Sequence, residues 1–111
     1  MLFGNKEQKI EKLAEKQNAA GLIKMIEGKD KSLALKAVEA LGKVKGDESY
    51  NALIALLRSP EADVRVAVVN ALGIMGDPKA RAHISHLTTT EKDKTVLAAM
   101  QKVLEKLPNN L

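Results

Sequence analysis

A five-position apolar pattern occurs three times along this chain of 111 residues, and it limits the fold more than any other feature. It reads Leu33, Ala37, Ala40, Leu41 and Val44; then Val64, Val68, Ala71, Leu72 and Met75; then Val96, Met100, Val103, Leu104 and Leu107. Each set has the offsets 0, +4, +7, +8 and +11, one stripe along an α-helix. Ahead of each stripe lies a shorter apolar segment: Leu22–Ile26, then Leu53–Leu57 after 31 positions, then a degenerate His83–Leu87 after 30 more. Every unit therefore predicts a helix pair. One pair alone cannot bury all its apolar surface, so the units must stack on one another.

The residues between these segments are ones that start and stop helices. Gly46-Asp47 and Gly76-Asp77 each put a glycine able to turn left-handed after one helix and an Asp N-cap before the next. Pro78 suits a first helical position, where its missing N–H costs nothing. Gly28 is expected to end the first outer helix, with Asp30 or Ser32 capping the inner one, and Ser59-Pro60-Glu61 turns the chain in the second unit. In the third unit Thr90 is the expected cap, with Asp93 at the third helical position. Lys6–Gln17 adds a helix that is apolar only at Ile10, Leu13 and Ala14, with Asn5 and Gln8 as its capping box. So narrow a stripe suits a terminal cap on a stack. The spacing predicts helices over 6–17, 19–27, 31–45, 48–58, 62–75, 79–87 and 93–107. The expected layout is one domain over 1–111: a cap (1–17), units at 18–46, 47–76 and 77–107, and a tail (108–111).

Composition narrows the function classes. Hydrophobic residues make up 45% of the chain, enough for a core, yet no apolar run approaches a membrane span. Without cysteine there is no disulfide, thiol nucleophile or Cys-ligated zinc. Met1-Leu2-Phe3 gives way at once to Gly4, Asn5 and Lys6, so no secretory leader is expected and a soluble cytoplasmic protein is. The net charge of +4 suggests nucleic acid, but its distribution argues against it: +4 over 1–46, −3 over 47–77 and +3 over 78–111. A nucleic-acid binder needs a continuous basic track, and Phe3 and Tyr50 are the only Phe, Tyr or Trp platforms on which a base could stack.

Asp63-Val64-Arg65, followed by Ala71-Leu72-Gly73 and Gly76-Asp77, resembles the inner-helix signature of HEAT repeats, of the short kind named after phycobilisome lyases. Ala40-Leu41-Gly42 with Gly46-Asp47 echoes it in the first unit. The third unit departs from it: Lys102-Val103-Leu104 stands where Ala-Leu-Gly would be, and no Arg follows Asp93. The resemblance spans about residues 18–107. It implies an all-α fold, an α-α superhelix of the HEAT-like or armadillo type, with three helix pairs in a right-handed stack behind the N-terminal cap. It implies little about activity, because such repeats serve as scaffolds and adaptors and in a few enzymes.

Side-chain chemistry offers little for catalysis. No Gly-x-Ser-x-Gly elbow, phosphate-cradling loop or dinucleotide fingerprint is present. His83 and His86 can share a helix face and form a weak candidate metal pair, but a site needs further ligands, and Glu91 and Asp93 are the nearest acids in sequence. Both histidines align with Leu53 and Leu56, so the simpler reading is amphipathic rings replacing leucines near solvent. Neither is followed by Glu, unlike the His-Glu dipeptides of di-iron HEAT hydroxylases. A HEAT-like DNA glycosylase would need an aromatic and basic cleft. A bilin lyase or bilin chaperone would need a deep tetrapyrrole pocket. No cofactor is expected. The alternatives carried are a bilin-handling or metal-dependent enzyme, with nucleic-acid binding disfavoured.

The inner-helix positions off the stripe are more informative. They are Leu35, Val66 and Ala98 at +2; Val38, Val69 and Gln101 at +5; Glu39, Asn70 and Lys102 at +6; Lys43, Ile74 and Lys106 at +10. The middle helix is apolar at three of these four, where a half-exposed helix would be polar. Gly42 and Gly73 on the same side let another backbone come close. One reading buries this surface between neighbouring repeats. The other is a shallow concave groove centred on Leu35, Val38, Val66, Val69 and Ile74, rimmed by Glu39, Lys43 and Asn70. Such a groove would take a partner's helix or a second copy, so Val66→Glu or Val69→Glu is expected to abolish association with helicity kept. The expected function is a non-enzymatic protein-interaction module, an adaptor or a subunit of an assembly.

Overall fold

The computed structural model describes residues 5–109, and among these it is all-helical, with no strand. The helices are α1 (Asn5–Glu15), α2 (Ala19–Ile26), α3 (Lys31–Leu41), α4 (Asp47–Leu56), α5 (Ala62–Met75), α6 (Ala80–Thr88) and α7 (Lys94–Lys106). Helices α1, α3, α5 and α7 contact one another in succession and form an inner row. Helices α2, α4 and α6 pack on α3, α5 and α7 respectively and form the outer row. The result is an elongated slab of 42 × 28 × 21 Å, an α-α superhelix.

The repeated stripes lie between the rows. Leu22, Leu41, Leu53, Leu72, Ile84 and Met100 are all fully buried, each from a different helix. Burying a side chain of this size contributes roughly 1.5–3 kcal/mol before the entropy of ordering it is subtracted.

The ends of the helices follow from local chemistry. Asn18 Oδ1 accepts from Gly21 N at 2.9 Å, Asp30 Oδ1 from Leu33 N at 3.2 Å, and Asp93 Oδ1 from Thr95 N at 2.8 Å and Val96 N at 3.2 Å. Asp93, not Thr90, is thus the cap of α7, because Thr88–Thr90 close the end of α6 through their own hydroxyls. Asn5 is already helical rather than a cap, and the residue before it lies outside the described residues. Asp77 starts the α6 turn by accepting from Lys79 N at 2.9 Å, and Gly76 before it is left-handed (φ 71°). The C-terminal carbonyls of α7 are met by a side chain from α6: Arg81 Nη1 donates to Leu104 O at 2.6 Å and Leu107 O at 3.0 Å.

Helix α3 is shorter than the predicted 31–45. After Leu41 the backbone tightens, with Gly42, Lys43 and Val44 N–H groups each bonded three residues back at 2.9–3.1 Å. The tightened turn still returns Val44 to the core, where it is buried. Gly42, where the change begins, is also a point of close approach. A Cβ on Gly42 would stand 2.6 Å from Ala71 O and 2.9 Å from Ala71 Cα, so the backbones of α3 and α5 touch at this point. At Gly73 the close neighbour is instead a side chain, Val103 of α7, 3.0 Å from the hypothetical Cβ.

Candidate interaction surface

Successive units are locked by charged groups at the turns leading into the inner helices. Arg65, in the first turns of α5, reaches forward to Glu91 with two parallel bonds, Nε to Oε1 at 3.0 Å and Nη2 to Oε2 at 2.9 Å. Its Nη1 also donates to Ser59 O at 2.8 Å, and Glu91 accepts from Asp93 N at 3.0 Å. Hydrogen bonds from Arg65 hold the Glu91 carboxyl below its ordinary range, against the opposing effect of burial. Asp63 reaches back to Lys31 at the start of α3, at 3.0 Å, and Glu61 pairs with the same ammonium. The Glu61 and Asp63 carboxylates raise the Lys31 pKa, and Lys31 lowers that of Asp63. The Asp63-Val64-Arg65 triplet is therefore a clasp, one end gripping the unit before and the other the unit after.

The eight residues expected to line one groove divide into three groups. Val38 and Val69 are buried, 1% and 0% exposed, and belong to the core, although Val38 also lines the cleft that holds Leu35. This corrects the expected groove: on an inner helix that packs against the inner helices on either side, position +5 is enclosed in the core. Leu35 and Val66, at +2, are half-buried and packed against the core. Leu35 lies with Ile26, Leu56 and Val64 in a cleft of about 490 Å³ that Lys29, Lys31 and Glu61 rim.

The remaining four come together. Glu39, Lys43, Asn70 and Ile74 line a groove of about 400 Å³ across the inner row, with Ile10 and Ala40 as further apolar lining. Ile74 is 58% exposed and is the only large hydrophobic side chain so exposed among the described residues. Besides Ile10 and Ala40, sequence reasoning missed three charged members of this groove, Glu7 and Glu11 from α1 and Lys36 from α3, of which Lys36 pairs with Glu7. A signal for them existed: Glu7, Glu11 and Glu15 recur every four residues, so they share one helix face apart from Lys9, Lys12 and Lys16. The wall is polar and charged around one prominently exposed apolar side chain, not the apolar trough that the sequence suggested.

The histidine pair lies on the outer row. His83 and His86 are exposed beside Arg58 in a cleft between α4 and α6. Among the described residues no three His, Asp or Glu side chains gather as metal ligands. The nearest acids in sequence are committed elsewhere, Glu91 to Arg65 and Asp93 to the N-terminus of α7. Ser49 is fully buried, with its hydroxyl 2.6 Å from Val44 O, where it fastens the α3–α4 loop and is shut off from any substrate. Tyr50 is also buried, its ring under the Lys79 ammonium at 4.8 Å, and burial with the nearby Asp77 charge raises its pKa. No helix among the described residues is long and apolar enough to cross a membrane.

No curated protein and no solved structure matches the chain. A family model does match: HEAT repeats, over residues 19–105, from the first residue of α2 to within one residue of the end of α7. Repeats of this family commonly serve as protein-interaction modules. The matched span takes in all three helix pairs and most of the chain, and the paired rows and the Asp63–Arg65 clasp occupy it throughout: this chain belongs to the HEAT-repeat family.

Proposed function

We propose that this chain is a non-enzymatic interaction module, built of the short, phycobilisome-lyase-like kind of HEAT repeat, that holds a protein partner in the inner-row groove. One observation carries the reading: Ile74 stands more than half exposed in the middle of a charged wall, ringed by Glu39, Lys43 and Asn70. An apolar anchor inside a polar rim is the arrangement in which a few residues supply most of a binding free energy and the rim supplies orientation. Glu7 is taken up by Lys36, while Glu11 and Glu39, which form no ion pair among the described residues, favour a partner segment with basic side chains.

The test compares the wild-type chain with Ile74→Asp and with Glu39→Lys as immobilised bait, alongside sedimentation of each free protein. Because Ile74 and Glu39 are exposed, both variants should melt as the wild type does. The expected result is a partner retained by the wild type and lost from both variants, or a self-associated species dissociated by both. If Ile74→Asp retains the same partners and the same sedimentation behaviour, the inner-row groove is not the binding surface.

A further inference from the structure

We propose a second, separate site on the outer row: a cleft between α4 and α6 that binds an acidic peptide segment carrying an apolar side chain. The cleft has a volume of about 170 Å³ and is lined by Ile54, Leu57, Arg58, His83, His86 and Leu87, with Ala82. That is smaller than the roughly 300–1,000 Å³ of small-molecule sites, so it suits one or two side chains of a chain laid across it.

The donors are uncommitted. The chain has three arginines, and two are spent: Arg65 on Glu91 and Ser59, Arg81 on the last carbonyls of α7. The guanidinium of Arg58 makes no hydrogen bond or ion pair among the described residues, and neither do the His83 and His86 rings. All three side chains are exposed and border the same cleft. No carboxylate lines it, whereas Glu61 lines the cleft beside Leu35 and Glu7, Glu11 and Glu39 line the groove beside Ile74. A guanidinium offers a carboxylate two parallel N–H donors, and each imidazole adds one more. The charge of Arg58 beside the imidazoles disfavours a cation, which is why an anion fits this histidine pair better than a metal does. Ile54, Leu57 and Leu87 then give an adjoining apolar side chain a place to be buried, which a bare phosphate would leave uncovered.

The probe is a fluorescently labelled ten-residue peptide alternating glutamate and leucine, titrated with the full chain and followed by anisotropy. Its glutamine–leucine counterpart is the neutral control. The glutamate peptide should bind at least tenfold tighter than the control, and added salt should weaken it. Arg58→Ala and the double change His83→Ala with His86→Ala should each weaken it tenfold or more at an unchanged melting temperature. Ile74→Asp, in the other groove, should leave it unaffected, so this site stands or falls apart from the inner-row reading. Equal binding of the glutamine peptide, no effect of the outer-row variants, loss of binding in Ile74→Asp, or full displacement by equimolar inorganic phosphate would each overturn the proposal.

Discussion

Gly42→Ala tests the central claim about the slab, that the inner helices run in backbone contact. The added Cβ would lie 2.6 Å from Ala71 O, 2.9 Å from Ala71 Cα and 3.1 Å from Ala71 C. All three are main-chain atoms of α5, so no rotamer change relieves them; the helices must separate by roughly 0.5–1 Å to restore ordinary contact. Forcing a methyl into a packed junction costs about 1–3 kcal/mol. Alanine returns about 0.4–1 kcal/mol through the unfolded chain, since φ −62° at Gly42 is open to any residue. Because main chain must move, the cost lies at the upper end, about 2–3 kcal/mol, which leaves a net loss of about 1–2.6 kcal/mol and a melting temperature lower by roughly 4–20 °C for a domain of this size. Gly73→Ala is the matched control. Its Cβ meets only the Val103 side chain, with Cγ2 nearest at 3.0 Å and no main chain in the way, and it lies inside α5, where alanine gains about 1 kcal/mol of helix propensity. Thermal melts by circular dichroism should place Gly42→Ala clearly below both the wild type and Gly73→Ala. A Gly42→Ala protein as stable as the wild type would mean that α3 and α5 do not touch there, and the stacking described above would be wrong.

Other perturbations separate core, clasp and surface. Leu72→Ala should cost about 2–5 kcal/mol in denaturant melts, because Leu72 is fully enclosed between the rows and leaves a cavity. Glu91→Gln should cost about 1–3 kcal/mol near neutral pH, since the Glu91 side chain is only 6% exposed and Arg65 loses a charged partner. Glu91 is held below its ordinary value of 4.5, so the stabilisation from its charge is present above that value and is lost as pH falls through the depressed one. The stability gap between wild type and Glu91→Gln should therefore stay level from about pH 7 to pH 5 and narrow on further acidification. Val69→Glu should unfold the chain or lower its melting point severely, as it puts a carboxylate at a fully buried site, whereas Ile74→Asp should leave the melt unchanged. The helicity-retaining Val69→Glu protein that the sequence suggested is no longer expected.

The rows of helices were legible because burial between the members of a pair writes itself as one stripe per helix, and three copies of that stripe agree in register. The clasp was half legible: Asp63-Val64-Arg65 stands out as a motif, but Lys31 and Glu91 lie about 30 residues away and only folding brings them in. The interaction surface was read least well, and the reason is geometric. An inner helix is buried on two counts, against its own outer helix and against the inner helices on either side. Apolar residues at +2, +5 and +10 of α5 look alike in sequence, yet Val69 at +5 is enclosed while Ile74 at +10 is open. The contrast between units carried the missing information. At +5 the residue is valine in α3 and α5, each followed by another inner helix, and Gln101 in α7, against which no later helix packs among the described residues. A position that turns polar only where the neighbour is missing is an inter-repeat contact. At +10 the sequence runs Lys43, Ile74 and Lys106, polar on both sides of a single isoleucine. A neighbour that required an apolar partner would demand it in α3 as well. Ile74 is thus not explained by stacking between repeats, and that is what makes it the residue on which the proposed partner site is tested.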